Sequence, residues 1–309
     1  MTIEVVGLRR WTVPMIQDSL AKYSPGDSLH HHTCASVLRY SLGFADAAAT
    51  TYMDGGGEYV VVSVVEPQDS LRVRHRPAAF DSLAPRPEWT AALSVLTRSP
   101  RVFHSSVSHY LPHRGAPRAP VPPHLARDSA DVRRVWSFLE SHGRDQDYEL
   151  ALVTLLTDDN FRNRIVAAAL LANFPERDAA WWALVEAVRE RDGAVKMAAA
   201  DVLTSMARHH PRAVDWNPAA ASIHAMLNGT SLFTLDAMMD VLPRTTRGAD
   251  FAAPFLSRGG EMLLAYLGAN RPELRAGARR VLVAVTGQDF GFDQRRWRDW
   301  IASLPASST

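Results

Sequence analysis

The chain has 309 residues, of which 47% are hydrophobic and 22% are charged; this is an ordinary globular composition that excludes wholesale disorder. Its 34 basic and 33 acidic residues give a formal net charge of +1, which argues against a nucleic-acid-binding protein, because such proteins depend on clustered cations. No apolar run approaches the roughly 18 residues typical of a transmembrane helix, and the opening residues lack a signal-peptide pattern. The single cysteine, Cys34, excludes an intrachain disulfide and any zinc site built on paired cysteines, and we expect no metal or other cofactor.

The N-terminal quarter of the chain predicts a small α+β module. Residues 2–8 are rich in β-branched side chains and predict a strand. Residues 13–23 carry apolar side chains at helical spacing, and residues 33–42 predict a second helix. Two β-rich runs then flank the glycines at 55–57, which predicts a hairpin. These glycines lack the Lys-Ser/Thr and the helix that follow a phosphate-binding loop. The predicted order is β-α-α-β-β, and the module spans residues 1–76.

A connector and a linker follow this module. Residues 77–111 predict a connector with a first helical hairpin. Within 112–130, five prolines fall in twelve residues, which predicts an extended linker because proline removes a backbone donor and resists helix. The segment 98–134 contains seven arginines but only two aspartates. It is therefore either a solvated connector or a tether attracted to an acidic partner.

From residue 131 onward the pattern is helical and repetitive. Residues 131–285 predict an array of helical hairpins, and residues 286–309 predict a C-terminal cap with Asp293 as the N-cap of the last helix. The step from the first anchor to the second is 15 residues in all four hairpins, as expected of stacked hairpins with fixed internal geometry and variable joins. The anchors are Leu156, Val188, Leu227 and Leu267 in the first helices, and Leu171, Leu203, Leu242 and Leu282 in the second helices.

This helical region resembles HEAT-like repeats. The closest match is DDNFRNRIVAAALLANFPERD at 158–178, followed by VKMAAADVLTSMA at 195–207. The resemblance covers residues 146–285 and, more weakly, 87–111. It implies an all-α solenoid whose usual role is to bind proteins.

The N-terminal module resembles a POTRA domain. The matching segments are IEVVGLRRWT at 3–12, IQDSLAKYSPGD at 16–27, VLRYSLGF at 37–44 and YVVVSVVEP at 59–67, so the resemblance covers residues 2–76. It implies a docking module of bacterial envelope assembly or secretion, which binds clients partly by strand addition at a sheet edge. It favours the periplasm or cell envelope, with the cytoplasm as the alternative if no signal peptide has been removed.

Three groups of residues are candidates for partner binding. The last predicted strand, 59–66, is apolar and belongs to the sheet that would accept a client strand. Three alternating arginines at 72–76 would share one face if this segment were a strand, and that face is either simply exposed or an anion-binding edge. Two adjacent tryptophans in a helix cannot both point into the core, so one of them either anchors a partner or packs on the neighbouring repeat. The candidates are Tyr59, Val61, Arg72, Arg74, Arg76, Trp181 and Trp182.

Cys34 follows three histidines, His30, His31 and His32. This run permits a Cys/His nucleophile or a metal site. The apolar spacing of Cys34 with Val37, Leu38 and Leu42 predicts instead that the thiol lies in the core.

The sequence therefore favours a non-catalytic scaffold or adaptor that binds protein partners, by strand addition or on a solenoid face, in the assembly of a bacterial envelope complex. A membrane-associated complex is compatible with this function, and a nucleic-acid partner is not expected. One alternative is a cysteine-dependent hydrolase that uses Cys34 with one of the preceding histidines. Another is a structural subunit of a larger complex.

Overall fold

A computed structural model of the protein describes residues 2–26, 28–29, 33–54, 57–84, 86–114 and 120–306. The strands are β1 Thr2–Val6, β2 Asp46–Asp54 and β3 Gly57–Val65. The α-helices are α1 Val13–Tyr23, α2 Cys34–Tyr40, α3 Thr90–Arg98, α4 Pro100–Tyr110, α5 Ser129–Ser141, α6 Asp145–Thr157, α7 Phe161–Leu171, α8 Asp178–Val188, α9 Gly193–His209, α10 Ala220–Leu227, α11 Leu235–Thr245, α12 Ala252–Leu256, α13 Glu261–Leu267, α14 Pro272–Thr286 and α15 Gln294–Ala302. A three-stranded sheet near the N-terminus and a mostly helical remainder confirm the coarse fold class that the sequence predicted.

The chain forms two compact units that do not coincide with the predicted domains. The sheet unit contains Met1–His75, Ala220–Pro243 and Arg247–Thr309, and the helical unit contains Arg76–Ala219 and Arg244–Thr246. The predicted division instead separates the N-terminal module from everything after residue 76. The difference arises because the last helices of the chain cover one face of the N-terminal sheet.

The sheet has the order β1-β3-β2, with β1 parallel and β2 antiparallel to β3. The hairpin predicted around residues 55–57 joins β2 to β3, although Gly55 and Gly56 lie outside the described residues. Because β3 pairs on both sides, the open edges of the sheet belong to β1 and β2. The sequence order β-α-α-β-β is also observed.

Both faces of the sheet are buried within the sheet unit. On one face, α1 and α2 pack on β3 to form a core; its members include Ile16, Leu20, Cys34, Leu38, Val60, Val62 and Val64. On the other face, the Ser63 hydroxyl lies 2.6 Å from the Tyr266 hydroxyl of α13, and a Cβ added to Gly229 would lie 2.5 Å from Val65 Cγ2. A strand covered on both faces needs apolar residues at nearly every position, which explains the run YVVVSVV in β3.

The helical unit consists of packed helix pairs. Helix α6 packs on α7 and α8 on α9, and the contacts of α6 with α8 and of α7 with α9 join one pair to the next. Leu171 and Leu203 are fully buried here, and Leu242 and Leu282 are fully buried in the sheet unit. The burial predicted for the four second-helix anchors is therefore confirmed. In the first helices the pattern holds except at Leu156, which is half-buried.

The predicted linker at 112–130 is shorter in the structure. A 3-10 helix at Leu111–His113 and another at Pro123–Asp128 occupy its ends, and Leu111 and Leu125 are buried. Residues 115–119 lie outside the described part of the chain. The two buried leucines anchor segments that proline content alone predicts to be extended and solvated.

The N-cap predicted for the last helix is confirmed. The Asp293 side chain accepts the backbone N–H groups of Arg295 and Arg296 at 3.0 Å each, as an N-cap does, while Trp297 and Ile301 are buried. Across the described residues, no helix combines the length and hydropathy that crossing a bilayer requires.

Candidate partner-binding groove

The outer edge of β1 is open. Within the described residues, the backbone of residues 2–8 forms no backbone hydrogen bond outside its pairing with β3. The β2 side of the sheet is more occupied, because the 3-10 helix Leu232–Thr234 packs against β2 and its Leu232 N–H donates to the Asp46 carboxylate at 3.1 Å. Unpaired strand edges are templates for another strand, so β1 is the edge best placed to take one.

A cavity of about 470 Å³ runs along this edge. One wall consists of six consecutive residues, 4–9, and the other of residues from 261–269 together with Gln294 and Arg298. Arg72, one of the binding candidates predicted from the sequence, also lines this cavity. Side chains of consecutive strand residues alternate between the two faces of a sheet, so a wall of consecutive residues is the edge of the strand rather than a face. We call this cavity the β1 groove.

Glu4 fixes one end of the β1 groove. Its carboxylate is buried and accepts the Tyr59 hydroxyl at 2.8 Å together with the backbone N–H groups of Asn270 and Arg271. Burial, and then the hydrogen bond to Glu4, raise the pKa of Tyr59 to about 12. The Arg271 guanidinium lies over the Tyr59 ring, 5.3 Å from its centroid, so the turn before α14 is tied to the first strand.

Glu66 fixes the other end. Its carboxylate is fully buried and accepts the backbone N–H groups of Arg9, Arg10 and Trp11 at 2.7–2.9 Å, and the Gln68 side chain also donates to it. Burial raises the pKa of Glu66, but the donors at Arg9, Trp11, Arg10 and Gln68 together outweigh it and hold the pKa below its ordinary value. A single ionised carboxylate thus orders the chain as it leaves β1.

Gly7 lets the chain leave β1 at this point. Its φ of +98° is in the left-handed region, and an added Cβ would lie 2.2 Å from the Val64 carbonyl oxygen. Glycine is therefore required both for the backbone conformation and for the close approach to β3. Just beyond it, the Arg9 guanidinium pairs with Glu261 at the start of α13 and lies 3.5 Å from Asp69.

The structure does not offer Tyr59 and Val61 to a partner. Val61 is 3% exposed, on the face that the C-terminal helices cover. Tyr59 is half-buried and its hydroxyl bonds to Glu4. The strand-addition hypothesis therefore depends on the edge of β1 rather than on these side chains of the central strand.

The three alternating arginines do not form a strand face. Arg72 ends a 3-10 helix, and the residues after it have no regular structure. The Arg72 guanidinium donates to the Asn228 carbonyl at 2.9 and 3.1 Å, Arg74 is exposed, and Arg76 belongs to the helical unit, where it pairs with Glu190 at 2.9 Å. Because this segment is not a strand, its alternation in sequence does not establish a shared arginine face.

The two tryptophans divide as predicted between core and surface. Trp181 is fully buried, donates to the Pro175 carbonyl at 2.9 Å and packs edge-to-face on Trp216 with ring centroids 6.2 Å apart. Trp182 is partly exposed and donates to the Asp215 carbonyl at 2.6 Å. Each indole N–H thus has a partner within the helical unit.

Cys34 lies in the core of the sheet unit, as its spacing predicted. It is 0% exposed, and its Sγ atom lies 3.9 Å from the Leu29 carbonyl oxygen. His30, His31 and His32 lie outside the described residues. Over the part of the chain that is described, no group of three or more His, Cys, Asp or Glu side chains is arranged to hold a metal ion.

The β1 groove was missed in the sequence because its walls are far apart along the chain. Glu66 and Gly7 carried the available signals: a carboxylate directly after an apolar strand, and a glycine at the end of another.

Comparison with protein-family models, with curated proteins and with solved structures yields no match to this chain.

Proposed function

We propose that this protein is a non-catalytic scaffold or adaptor that captures an extended segment of a partner protein along β1. The observation that carries the proposal is the open strand edge beside a preformed groove. In strand addition, the added strand lies about 4.8 Å from the edge strand and forms main-chain hydrogen bonds with it, and pockets beside the added strand supply specificity. The burial of Cys34 disfavours the cysteine hydrolase, since a nucleophilic thiol must reach its substrate.

The resemblances extend this proposal. A POTRA-like module at the N-terminus favours a client of bacterial envelope assembly, with the periplasm or cell envelope as the compartment. HEAT-like hairpins favour a second protein-binding surface, which would hold the complex that receives the client. Neither part of this assignment requires a cofactor.

Selection from a library of random decapeptides displayed on phage, with the intact protein as bait, tests the proposal. We expect the enriched peptides to bind in fluorescence polarisation assays and to lose binding when alternate residues are N-methylated on one strand edge, because N-methylation removes the donors that a ladder needs. Methylation on the other edge should have little effect.

Two matched variants locate the site. Ala265 lines the β1 groove from α13, so Ala265→Trp should fill the groove and abolish peptide binding. Ala21 is exposed on α1, and Ala21→Trp should leave binding unchanged, with thermal melts confirming that both variants fold. Peptides that bind Ala265→Trp as well as they bind the unaltered protein, or the absence of any enriched peptide, would refute the proposal.

A further inference from the structure

A second cavity continues the β1 groove past the end of the strand. It has a volume of about 390 Å³ and shares Glu261 and Arg298 with the β1 groove. Glu261 pairs with Arg9, which follows β1, whereas Asn270, beyond the other end of α13, bonds to Glu4 within the strand. Helix α13 therefore runs opposite to β1, and the second cavity lies beyond the C-terminal end of β1.

Two arginines line this extension. Arg258 and Arg298 are both exposed, and no acidic side chain within the described residues forms an ion pair with either of them. Glu261, the acidic residue in the lining of this cavity, is already paired with Arg9. The extension therefore carries an excess of positive charge at one defined end of the groove.

The backbone holds Arg258 in place. Its φ of +54° is in the left-handed region, which L side chains rarely adopt. The next residue, Gly259, packs so closely on α10 that an added Cβ would lie 2.4 Å from His224 Cε1. The His224 ring also lies 3.0 Å from the Phe255 carbonyl oxygen through its Nδ1 atom, so the loop before α13 is fixed beneath the arginine.

We propose that the partner segment is acidic where it passes the C-terminal end of β1, and that Arg258 and Arg298 bind its carboxylates. This inference rests on the proposed strand capture and specifies the chemistry of the captured segment. The edge of β1 supplies main-chain pairing that is indifferent to sequence, and the two unpaired guanidinium groups select aspartate, glutamate or a terminal carboxylate by charge-assisted hydrogen bonds. Selectivity thus resides at one end of the groove and affinity along its length.

Fluorescein-labelled decapeptides with one alternating Val-Thr core test this inference. One carries Glu-Glu at the C-terminal end, one carries Glu-Glu at the N-terminal end, and the controls carry Gln-Gln at the same positions. The direction in which the peptide pairs with β1 decides which of its ends reaches the two arginines. We expect the peptide with Glu-Glu at that end to bind about three- to tenfold more tightly than its Gln-Gln control, the size expected from two partly exposed ion pairs. The preference should shrink as salt rises from low to high concentration.

The double variant Arg258→Gln/Arg298→Gln should abolish the preference, so that it binds each acidic peptide no more tightly than the corresponding Gln-Gln control. Arg295→Gln is the matched control, because Arg295 lies on the same helix and is exposed but lines neither cavity. Equal binding of acidic and neutral peptides that Ala265→Trp still abolishes would overturn this inference and leave strand capture standing.

Three further outcomes would count against the inference. A preference that persists in the double variant would overturn the assignment to these arginines. A protein dimer that Ala265→Trp dissociates would show that the occupant of the groove is a second copy of the chain. If no peptide bound, strand capture itself would fail together with the inference.

Discussion

Replacing Glu66 with glutamine tests whether one buried carboxylate orders the end of β1. In the protein, Oε1 accepts three backbone N–H groups and Oε2 accepts a second contact from Arg10 at 3.1 Å as well as the Gln68 side chain. A glutamine can direct its oxygen at the three backbone donors, but its amide nitrogen then faces the shared Arg10 N–H and the Gln68 side-chain donor. Two contacts are therefore lost, and three change from charge-assisted to neutral.

The expected cost follows from these contacts. Hydrogen bonds to charged groups contribute about 1.5–3 kcal/mol and neutral ones about 0.5–1.5 kcal/mol. Glutamine avoids part of the penalty for burying a charge, so the changes above should lower the free energy of unfolding of the sheet unit by about 2–4 kcal/mol. Guanidinium chloride unfolding followed by circular dichroism measures this difference, and hydrogen exchange at the amides of residues 9–11 should become faster in the variant.

The effect should also depend on pH in a defined direction. The pKa of Glu66 is lowered in the folded protein from its ordinary value of 4.5, so the unfolded chain takes up the proton first as the pH falls. The stability contributed by the ionised carboxylate is complete above the ordinary value and is lost as the pH falls through the lower, folded pKa. The difference in the free energy of unfolding between the unaltered protein and the Glu66→Gln variant should therefore shrink as the solution becomes acidic.

Glu58→Gln is the matched control, because Glu58 lies exposed on β3, the strand that Glu66 follows. Its replacement should change stability by less than about 0.5 kcal/mol. If Glu66→Gln were as neutral as this control at pH 7, or if its effect were the same at pH 7 and in acid, the carboxylate would not be organising the chain after β1.

Two predictions concern the cores of the two units. Leu203 is fully buried in α9, so Leu203→Ala should cost about 2–5 kcal/mol through lost transfer energy and a cavity; a neutral result in denaturant melts would contradict the 15-residue repeat register. Cys34 is fully buried in the sheet unit, so a thiol reagent should label the native protein slowly and the unfolded protein quickly; rapid native labelling at neutral pH would favour the cysteine hydrolase instead.

Local patterns predicted the elements of this fold well. The helix predicted at 13–23 is observed at Val13–Tyr23, and the one predicted at 33–42 is observed at Cys34–Tyr40. Apolar periodicity reports which face of a helix is buried, whatever covers it. For the same reason the sequence placed Cys34 and the second-helix leucines correctly in the interior.

The sequence did not reveal what each buried face packs against. The β3 run YVVVSVV is apolar on both faces, which indicates burial on both sides, but nothing local identifies α13 as the cover of the second face. The Ser63 to Tyr266 contact joins residues 203 positions apart. The predicted boundary at residue 76 did not anticipate this contact, because hydrophobic patterning shows that a face is buried but not which segment covers it.

Coverage of both sheet faces determines where a partner can bind. Had the N-terminal module stood alone, Val61 and Ser63 would present an open face; with the C-terminal helices in place, both residues are buried, and only strand edges remain. Those same helices build the second wall of the β1 groove and contribute Arg298 to its end. The packing that removes a face from solvent therefore creates the groove beside the edge. Under the proposed strand capture, the specificity for a partner would then be encoded largely in the last 50 or so residues of the chain rather than in the strands themselves.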